Sequence, residues 1–319
     1  MKKVALNVNF DSLYFPLSID RKRNLDPTFF KVADRFFEMA KKYDFKFSIY
    51  VIGRDLENER VADQVKKWHE AGHEIGNHSW THHGNLGATE PQKQKDEIMR
   101  THERITEVIG EEPKGYISPT WSMSPTSIQT LLDLGYIYDT SAFPSPVMLA
   151  AIAKLKFNSR TDQKFDANFM SRNDKRVLLY GTRKPYLIRP EKLHKPNTEG
   201  LLMLPVPTVT PMRLPVWHTM AFMWPLKIHL WALKQAMKKD GFYYIMHPAD
   251  IANYEEDFDP AIVKEYKDEL AVFERMSDTI EKKMYLFESA IKTMSTNAKL
   301  VTVREVAEDI LKEKKYAQG

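Results

Sequence analysis

The sequence of 319 residues contains no cysteine. Disulfide bonds and thiolate metal sites are therefore excluded, and any metal ion must be held by histidine and carboxylate side chains. The sequence also lacks an uncharged apolar run of about 18 residues, so no transmembrane helix is expected. Its 47 basic and 43 acidic side chains leave a formal net charge of only +4. Nucleic acid is therefore not an expected partner, because it would require a strongly basic face.

The first residues, MKKVALNVNF, place two lysines before a short apolar stretch. This stretch lacks the length and the small-residue cleavage site of a secretory signal peptide. The alternating Val4, Leu6 and Val8 predict a first β-strand instead. We therefore expect a cytoplasmic protein.

Short strand-like runs alternate with helical stretches over the first 140 residues. The runs VALNV, FKFSIYVIG and HEIGNHS predict buried strands, and helices are predicted near 27–43, 58–71 and 90–109. Such alternation is typical of an α/β fold with a parallel sheet covered by helices. In barrels of this kind, functional residues collect where the strands end.

The segment from about 145 to 240 is rich in proline and less regular. RVLLYG and LLMLPVP predict irregular strands there, and 225–239 predicts a helix. Strand-like GFYYIMHP and a helical region at about 260–295 follow. We expect one domain over 1–319, with a variable insertion at about 145–240. The helical region at 260–295 either covers the sheet or supports a dimer.

The segment GHEIGNHSWTHHG, residues 72–84, carries the strongest local signal. His78 and His82 are four residues apart, a spacing that suits two ligands of one divalent ion. Five of the ten histidines fall between positions 69 and 83. The pattern predicts either a metal site or a solvated loop that is rich in histidine.

GHEIGNHSWTHH resembles the second motif, H-[ST]-x-x-H, of the polysaccharide deacetylase (NodB-homology) family, in which both histidines bind metal. Four further segments resemble the other motifs in the family's order: NVNFDS, GYISPTW, LGYIYDTSAFP and YIMHPAD. The resemblance extends from Val4 to about Leu311. It implies a single distorted (β/α) barrel of about seven parallel strands.

The first motif departs from the family pattern. The chain resembles an intracellular branch with Asp-x-Asp, whose first Asp is the general base and whose second binds metal. Asp11 then falls on the metal ligand and Asn9 on the base. The alternative register puts Asp11 on the base and Ser12 on the ligand position. We prefer the first, because a carboxylate with His78 and His82 forms the expected open site of three ligands.

Asn9 bears directly on activity, because an amide cannot accept a proton at neutral pH. Three interpretations stand. Asn9 is an introduced substitution, or a natural one with another group or the metal-activated water in the role of base, or a sign of lost activity. Many relatives carry an Arg that holds the catalytic Asp where this chain has Ile117.

The remaining site residues also follow from the resemblance. His247 ends a strand-like run and matches the family's general acid, although such a histidine could equally be a core residue. Asp139 is the candidate for orienting His247, or else caps a turn. Trp121 forms a wall of a sugar pocket or belongs to the core, and Pro119 and Ser12 are further candidates for substrate binding.

The resemblance implies a hydrolase with one divalent metal ion. Zinc is expected, with cobalt, nickel, manganese or iron as alternatives. The expected reaction removes an acetyl or formyl group from an amino sugar, as a deacetylase or deformylase acting on a cytoplasmic or lipid-linked precursor of cell-envelope glycans. The alternatives are a small-amide hydrolase of nitrogen metabolism and an impaired, deacetylase-like protein that binds glycan or lipid.

Residues 211–239 place several Trp, Phe, Leu and Ile residues close to Lys234, Lys238 and Lys239. Such a segment suits either a membrane interface or a helix packed on the barrel. The first interpretation predicts a protein that lies peripherally on the inner face of the membrane and acts on a lipid-linked sugar.

Overall fold

The computed structural model describes residues 1–12, 29–147, 172–267 and 274–316. The strands in chain order are β1 Lys3–Phe10, β2 Ser48–Val51, β3 Glu74–Asn77, β4 Gly115–Tyr116, β5 Tyr138–Asp139, β6 Tyr186–Ile188, β7 Leu201–Met203, β8 Thr208–Val209, β9 Leu214–Pro215, β10 Tyr243–Met246 and β11 Lys299–Val301. The α-helices are α1 Lys31–Lys42, α2 Glu59–Glu70, α3 Pro91–Ile109, α4 Pro125–Asp133, α5 Lys175–Tyr180, α6 Met220–Met223, α7 Leu226–Ala236, α8 Tyr254–Asp257, α9 Pro260–Glu265, α10 Ile280–Asn297 and α11 Val303–Tyr316.

One nine-stranded sheet organises the described residues. Its order is β10-β1-β2-β3-β4-β5-β7-β6, and β11 pairs with the start of β1. Every pairing in this sheet is parallel except that of β6 with β7. The predicted fold, an α/β barrel-like sheet with about seven parallel strands, is thereby confirmed.

The middle of the chain is more regular than its proline content predicts. LLMLPVP forms β7, which extends the main sheet, and 225–239 contains α7, as predicted. RVLLYG was predicted as a strand and is helical in α5. Val177 and Leu178 are buried next to each other between exposed Arg176 and Leu179, which is a helical pattern and not the alternation of a strand. Residues 148–171 of the predicted insertion lie outside the described residues.

The core contains an aromatic cluster between the sheet and the helices α1 and α2. Phe10, at the end of β1, lies 5.1 Å from Trp68 and 4.9 Å from Phe29 between ring centroids. Phe36 packs edge-on against Phe47 of the segment leading into β2. This packing fixes the end of β1, where Asp11 begins the following loop.

The carboxyl ends of β1, β3, β4 and β10 meet at one edge of the sheet, because these strands are parallel. His78 directly follows β3 and His247 directly follows β10. None of the described helices is both long and apolar enough to cross a bilayer.

The turn between β6 and β7 contains Gly200, and substitution of this glycine tests how tightly the turn is packed. Its φ is +119°, and a Cβ atom here would lie 2.1 Å from the backbone oxygen of Ile188. We expect Gly200→Ala to lower the free energy of unfolding by about 2–5 kcal/mol, from backbone strain and overpacking. Urea denaturation measures this change.

Gly110→Ala is the matched control. Gly110 ends α3 with a φ of +74°, and nothing lies within 4 Å of its added Cβ. We expect it to lose only about 1 kcal/mol, the strain of the left-handed conformation alone. Equal losses in the two variants would contradict the packing argument.

Candidate active site

Three side chains converge at the carboxyl edge of the sheet. One ligand atom from each of Asp11, His78 and His82 lies within 4.8 Å of the others. The Nε2 of His78 is 3.1 Å from Oδ1 of Asp11, and the Nε2 of His82 is 3.5 Å from the same oxygen. The structure thus brings together the three residues that the sequence predicts as metal ligands.

The hydrogen bonding of His78 shows that this cluster suits a cation. Its Nδ1 lies 2.7 Å from the carbonyl oxygen of Ile117, which can only accept, so Nδ1 carries the proton. In the neutral ring, Nε2 then presents a lone pair to the carboxylate of Asp11. Oδ1 of Asp11 is buried and has no hydrogen-bond partner among the described residues. A positive ion between these acceptors would satisfy all of them.

The electrostatics of Asp11 also favour its charged form. Burial disfavours the carboxylate, but positive charge on the neighbouring His82 and His78 outweighs burial and holds the pKa of Asp11 below its ordinary range, and a cation held by the neutral rings would act in the same direction. Asp11 is therefore ionised at neutral pH, as a metal ligand must be.

The loop after β3 places His82 by means of an unusual backbone. Ser79 and His82 both adopt positive φ, 62° and 56°. Such conformations are unfavourable for residues other than glycine and persist only when their surroundings impose them. Glu97 of α3 supplies one restraint, since its carboxylate accepts hydrogen bonds from the backbone N–H and the hydroxyl of Thr81 at 2.7 and 2.6 Å.

Asn9 lies next to His247, across the site from the histidine loop. Asn7 donates to Oδ1 of Asn9 at 3.2 Å, which turns Nδ2 of Asn9 toward Nε2 of His247, 3.4 Å away. Asn9 is thus oriented as a donor to His247. The two residues predicted as base position and general acid are in contact.

Among the described residues, no hydrogen bond or ion pair joins Asp139 to His247, so its predicted role as the orienting residue is not supported. Asp250 is the neighbouring carboxylate, with Oδ2 3.8 Å from Nδ1 and 2.9 Å from the backbone nitrogen of His247. Arg275 and Thr219 hold the other oxygen of Asp250 at 2.9 Å each. Burial opposes ionisation of Asp250, but Arg275 and His247 outweigh it, so its pKa lies below the ordinary range.

Asp139 instead caps the turn that follows it. Its Oδ1 accepts hydrogen bonds from the backbone N–H and the hydroxyl of Ser141, 2.7 and 2.5 Å away. Burial raises the pKa of Asp139 to about 7, although these bonds oppose the shift. This is the alternative that the sequence left open, a carboxylate that caps a turn.

Lys283 is a buried cation beneath the turn that carries His247. It is fully buried in α10, and its ammonium donates to the carbonyl oxygens of Ala249 and Ala252 on either side of Asp250. Burial lowers the pKa of Lys283 to about 8. The sequence analysis missed Asp250, Arg275 and Lys283, because their roles depend on contacts between α10, the segment before it and the loop after β10.

The predicted substrate residues have different environments. Trp121 is half-buried and stacks on Trp217, with ring centroids 5.0 Å apart and planes inclined by 9°. Among the described residues, neither indole N–H has a hydrogen-bond partner, although both are buried. Pro119 and Ser12 are buried. Sequence reasoning named Trp217 only as part of the apolar segment 211–239.

Comparison with known proteins supports the resemblance over the first half of the chain. The polysaccharide deacetylase family model matches residues 8–138. A peptidoglycan deacetylase of Helicobacter pylori is 31% identical over 107 residues, 34% of this chain and 36% of that protein. An uncharacterized 30.6 kDa protein of Geobacillus stearothermophilus is 29% identical over 87 residues, 27% of this chain and 32% of that protein. The chain thus spans about a third of the length of each relative.

A solved structure extends the similarity of fold. A Mycobacterium smegmatis protein assigned to the polysaccharide deacetylases superposes with a TM-score of 0.58, covering 98% of this chain and 91% of its own. The two sequences are 16% identical, so this likeness concerns the fold alone.

The raised pKa of Asp139 predicts a pH-dependent stability. Unfolding returns the pKa from about 7 to its ordinary 3.8, so the folded state binds more protons between these values and stability falls as the pH rises. Asp139→Asn stays neutral throughout. We expect this variant to gain on the order of 2 kcal/mol relative to the unsubstituted protein between pH 5 and pH 8, measured by urea denaturation. A pH-independent difference between the two proteins would contradict the argument.

Proposed function

We propose that the protein is a metal-dependent hydrolase that removes an acetyl or formyl group from an amino sugar, because the polysaccharide deacetylase family model matches residues 8–138. The observation that carries the proposal is the convergence of Asp11, His78 and His82 beside His247. We further propose a single catalytic domain over 1–319.

Asp11, His78 and His82 would hold one divalent ion and leave a position open for water or substrate. Two imidazoles and one carboxylate favour zinc, and cobalt, nickel, manganese and iron accept the same donors. The bound ion would polarise the amide carbonyl and help a water molecule to ionise near neutral pH.

His247 would carry out proton transfer during hydrolysis of the amide. Hydrolysis forms a bond between the water oxygen and the acyl carbon and breaks the bond between that carbon and nitrogen. A protonated His247 donates to the departing nitrogen, so that the amine leaves neutral. Asp250 lies 3.8 Å from Nδ1 and accepts a hydrogen bond from the backbone N–H of His247, and both contacts position this residue.

Asn9 cannot act as the base, but its geometry suggests how the site would work without one. Its Nδ2 faces Nε2 of His247, so the neutral ring presents a lone pair on the side of the site. We propose that the attacking water displaces the amide of Asn9 from this lone pair, that Nε2 accepts the proton of the water, and that it then delivers this proton to the departing amine. One imidazole would thereby perform both transfers, in agreement with a natural Asn9 in an active enzyme.

The stacked pair Trp121 and Trp217 supports a sugar as the substrate. Aromatic faces suit the apolar face of a pyranose, and both of these residues are only half-buried. A small amide of nitrogen metabolism would not use such a surface. The second candidate function, glycan binding without turnover, is favoured only by the absence of a base at Asn9.

Restoring the carboxylate tests the proposed chemistry. We expect the Asn9 protein to release amine slowly from N-acetyl or N-formyl amino sugars, and Asn9→Asp to be about tenfold or more faster, within the range of a positioned general base. Amine release is measured with the metal content of each form. Both forms should carry about one divalent ion per chain.

His247→Ala and Asp11→Ala are the controls. His247→Ala should retain the ion and lose turnover in the Asn9 background, because no other base is proposed there. Asp11→Ala should lose the ion. Turnover by Asn9→Asp alone would assign the native chain to binding without catalysis, and absence of the ion from every form would refute the metal site.

We also propose that the protein works on the cytoplasmic side of a membrane, on a lipid-linked sugar. The support is the outer face of α7, where Ile228 and Trp231 are about half exposed, at 52% and 53%, and Met223 precedes them at 68%. Lys227 and Lys234 are exposed on the same helix. Half-exposed apolar side chains among lysines suit an anionic bilayer surface.

Vesicle sedimentation tests this surface. We expect the protein to bind vesicles that contain phosphatidylglycerol more strongly than vesicles of phosphatidylcholine alone. Ile228→Ser with Trp231→Ser should reduce this binding severalfold, because it removes the apolar contact. Tyr180→Ser, at an exposed aromatic of α5, is the matched control and should bind normally. Equal binding by all forms would remove the support for a membrane role.

A further inference from the structure

A second concave region lies apart from the metal ligands and is lined by positive charge. It is a cavity of about 670 Å³ between the start of α4, the helix α5 and the loop before β7. Five basic side chains and one acidic side chain line it: Lys175, Arg176, Lys192, His194, Lys195 and Glu191. The volume is within the range of small-molecule sites.

Three of the cationic side chains that line this cavity have no carboxylate partner among the described residues. Among the described residues, Arg176, Lys192 and Lys195 form no ion pair, and the neighbouring pairs Arg172–Asp174 and Arg189–Glu199 use other side chains. Burial lowers the pKa of His194, and the positive charges of Arg176, Lys195 and Lys192 lower it further. These three charges therefore act on the same side chain. Holding like charges together is unfavourable unless an anion offsets them.

Hydrogen bonds connect residues at the cavity to the loops of the proposed metal site. Asn173, which lines it, donates a hydrogen bond of 2.6 Å to the carbonyl oxygen of Gly87, in the loop that follows the histidines. Its neighbour Arg172 donates to the carbonyl oxygen of Trp121 at 2.7 Å and is paired with buried Asp174. A ligand in the cavity would therefore lie beside the loops that carry His82 and Trp121.

We propose that this cavity binds a phosphate-type anion, and that in the substrate this anion is a phosphate or diphosphate attached to the amino sugar. Lysines bind phosphate as point charges, and several of them match its two negative charges. Pro125 begins α4 in the same wall, and the positive end of the helix dipole adds to the field. A concave region of this size suits a compact phosphate better than it suits an extended acidic polymer. The identity of the attached sugar rests on the proposed function, but the anion site does not.

Calorimetric titration of the full chain tests the site. The ligands are inorganic phosphate, inorganic diphosphate, N-acetylglucosamine 1-phosphate and uncharged N-acetylglucosamine. We expect Lys192→Gln with Lys195→Gln to weaken the binding of the phosphate-bearing ligands about tenfold or more. Lys66→Gln with Lys67→Gln removes the same charge from exposed positions of α2 and should leave their affinity unchanged. Thermal unfolding confirms that each variant is folded.

Each outcome bears on a separate part of the proposal. Failure of every phosphate-bearing ligand to bind, or equal binding by the two double variants, would overturn the anion site. Tighter binding of the sugar phosphate than of inorganic phosphate supports the substrate as its source, and equal affinity would overturn that assignment. Because binding is measured without turnover, an inactive protein that still binds contradicts the proposed function alone. An active protein without phosphate binding contradicts only this site.

Discussion

The hydrogen bond from Nδ1 of His78 to the carbonyl of Ile117 is the constraint on which the candidate site depends. It joins the residues that directly follow β3 and β4, so the pairing of these two strands sets its geometry. The bond fixes the ring and leaves Nε2 as an acceptor toward Asp11, on the far side of β2. The site therefore depends on the sheet, because the register of the four neighbouring strands β1 to β4 decides where these acceptors meet.

Much of this arrangement could be predicted from the sequence, because it is encoded locally. The ends of strands are marked by short apolar runs, and His78, His82 and Asp11 directly follow such runs or lie in the loop behind one. Parallel strands bring these positions to one edge without further information. Asn9 was predicted from the same register, and its contact with His247 follows from the pairing of β1 with β10.

The remainder depends on contacts between distant parts of the chain. Asp139 was assigned to His247 because it ends a strand, but a buried carboxylate takes the nearest donors, and those belong to Ser141. Asp250 reaches His247 through a tight turn whose shape depends on Lys283, more than thirty residues later. Trp217 stacks on Trp121 across nearly a hundred residues. No local sequence pattern predicts such pairs, since each residue alone is typical of its own segment.

The ion pair of Arg172 with Asp174 affects how this part of the protein unfolds locally. It is almost fully buried, and its two members also hold the backbone at Trp121 and Met123, while Asn173 between them holds Gly87. Removing either charge would leave the other without a partner in a dry environment, so the three segments must separate together. We therefore expect them to form one cooperative unit in native-state exchange, in which amide protons near the histidine loop and at the start of α5 become accessible at the same free energy. The variable middle of the chain is thereby part of the folding unit that carries the chemistry.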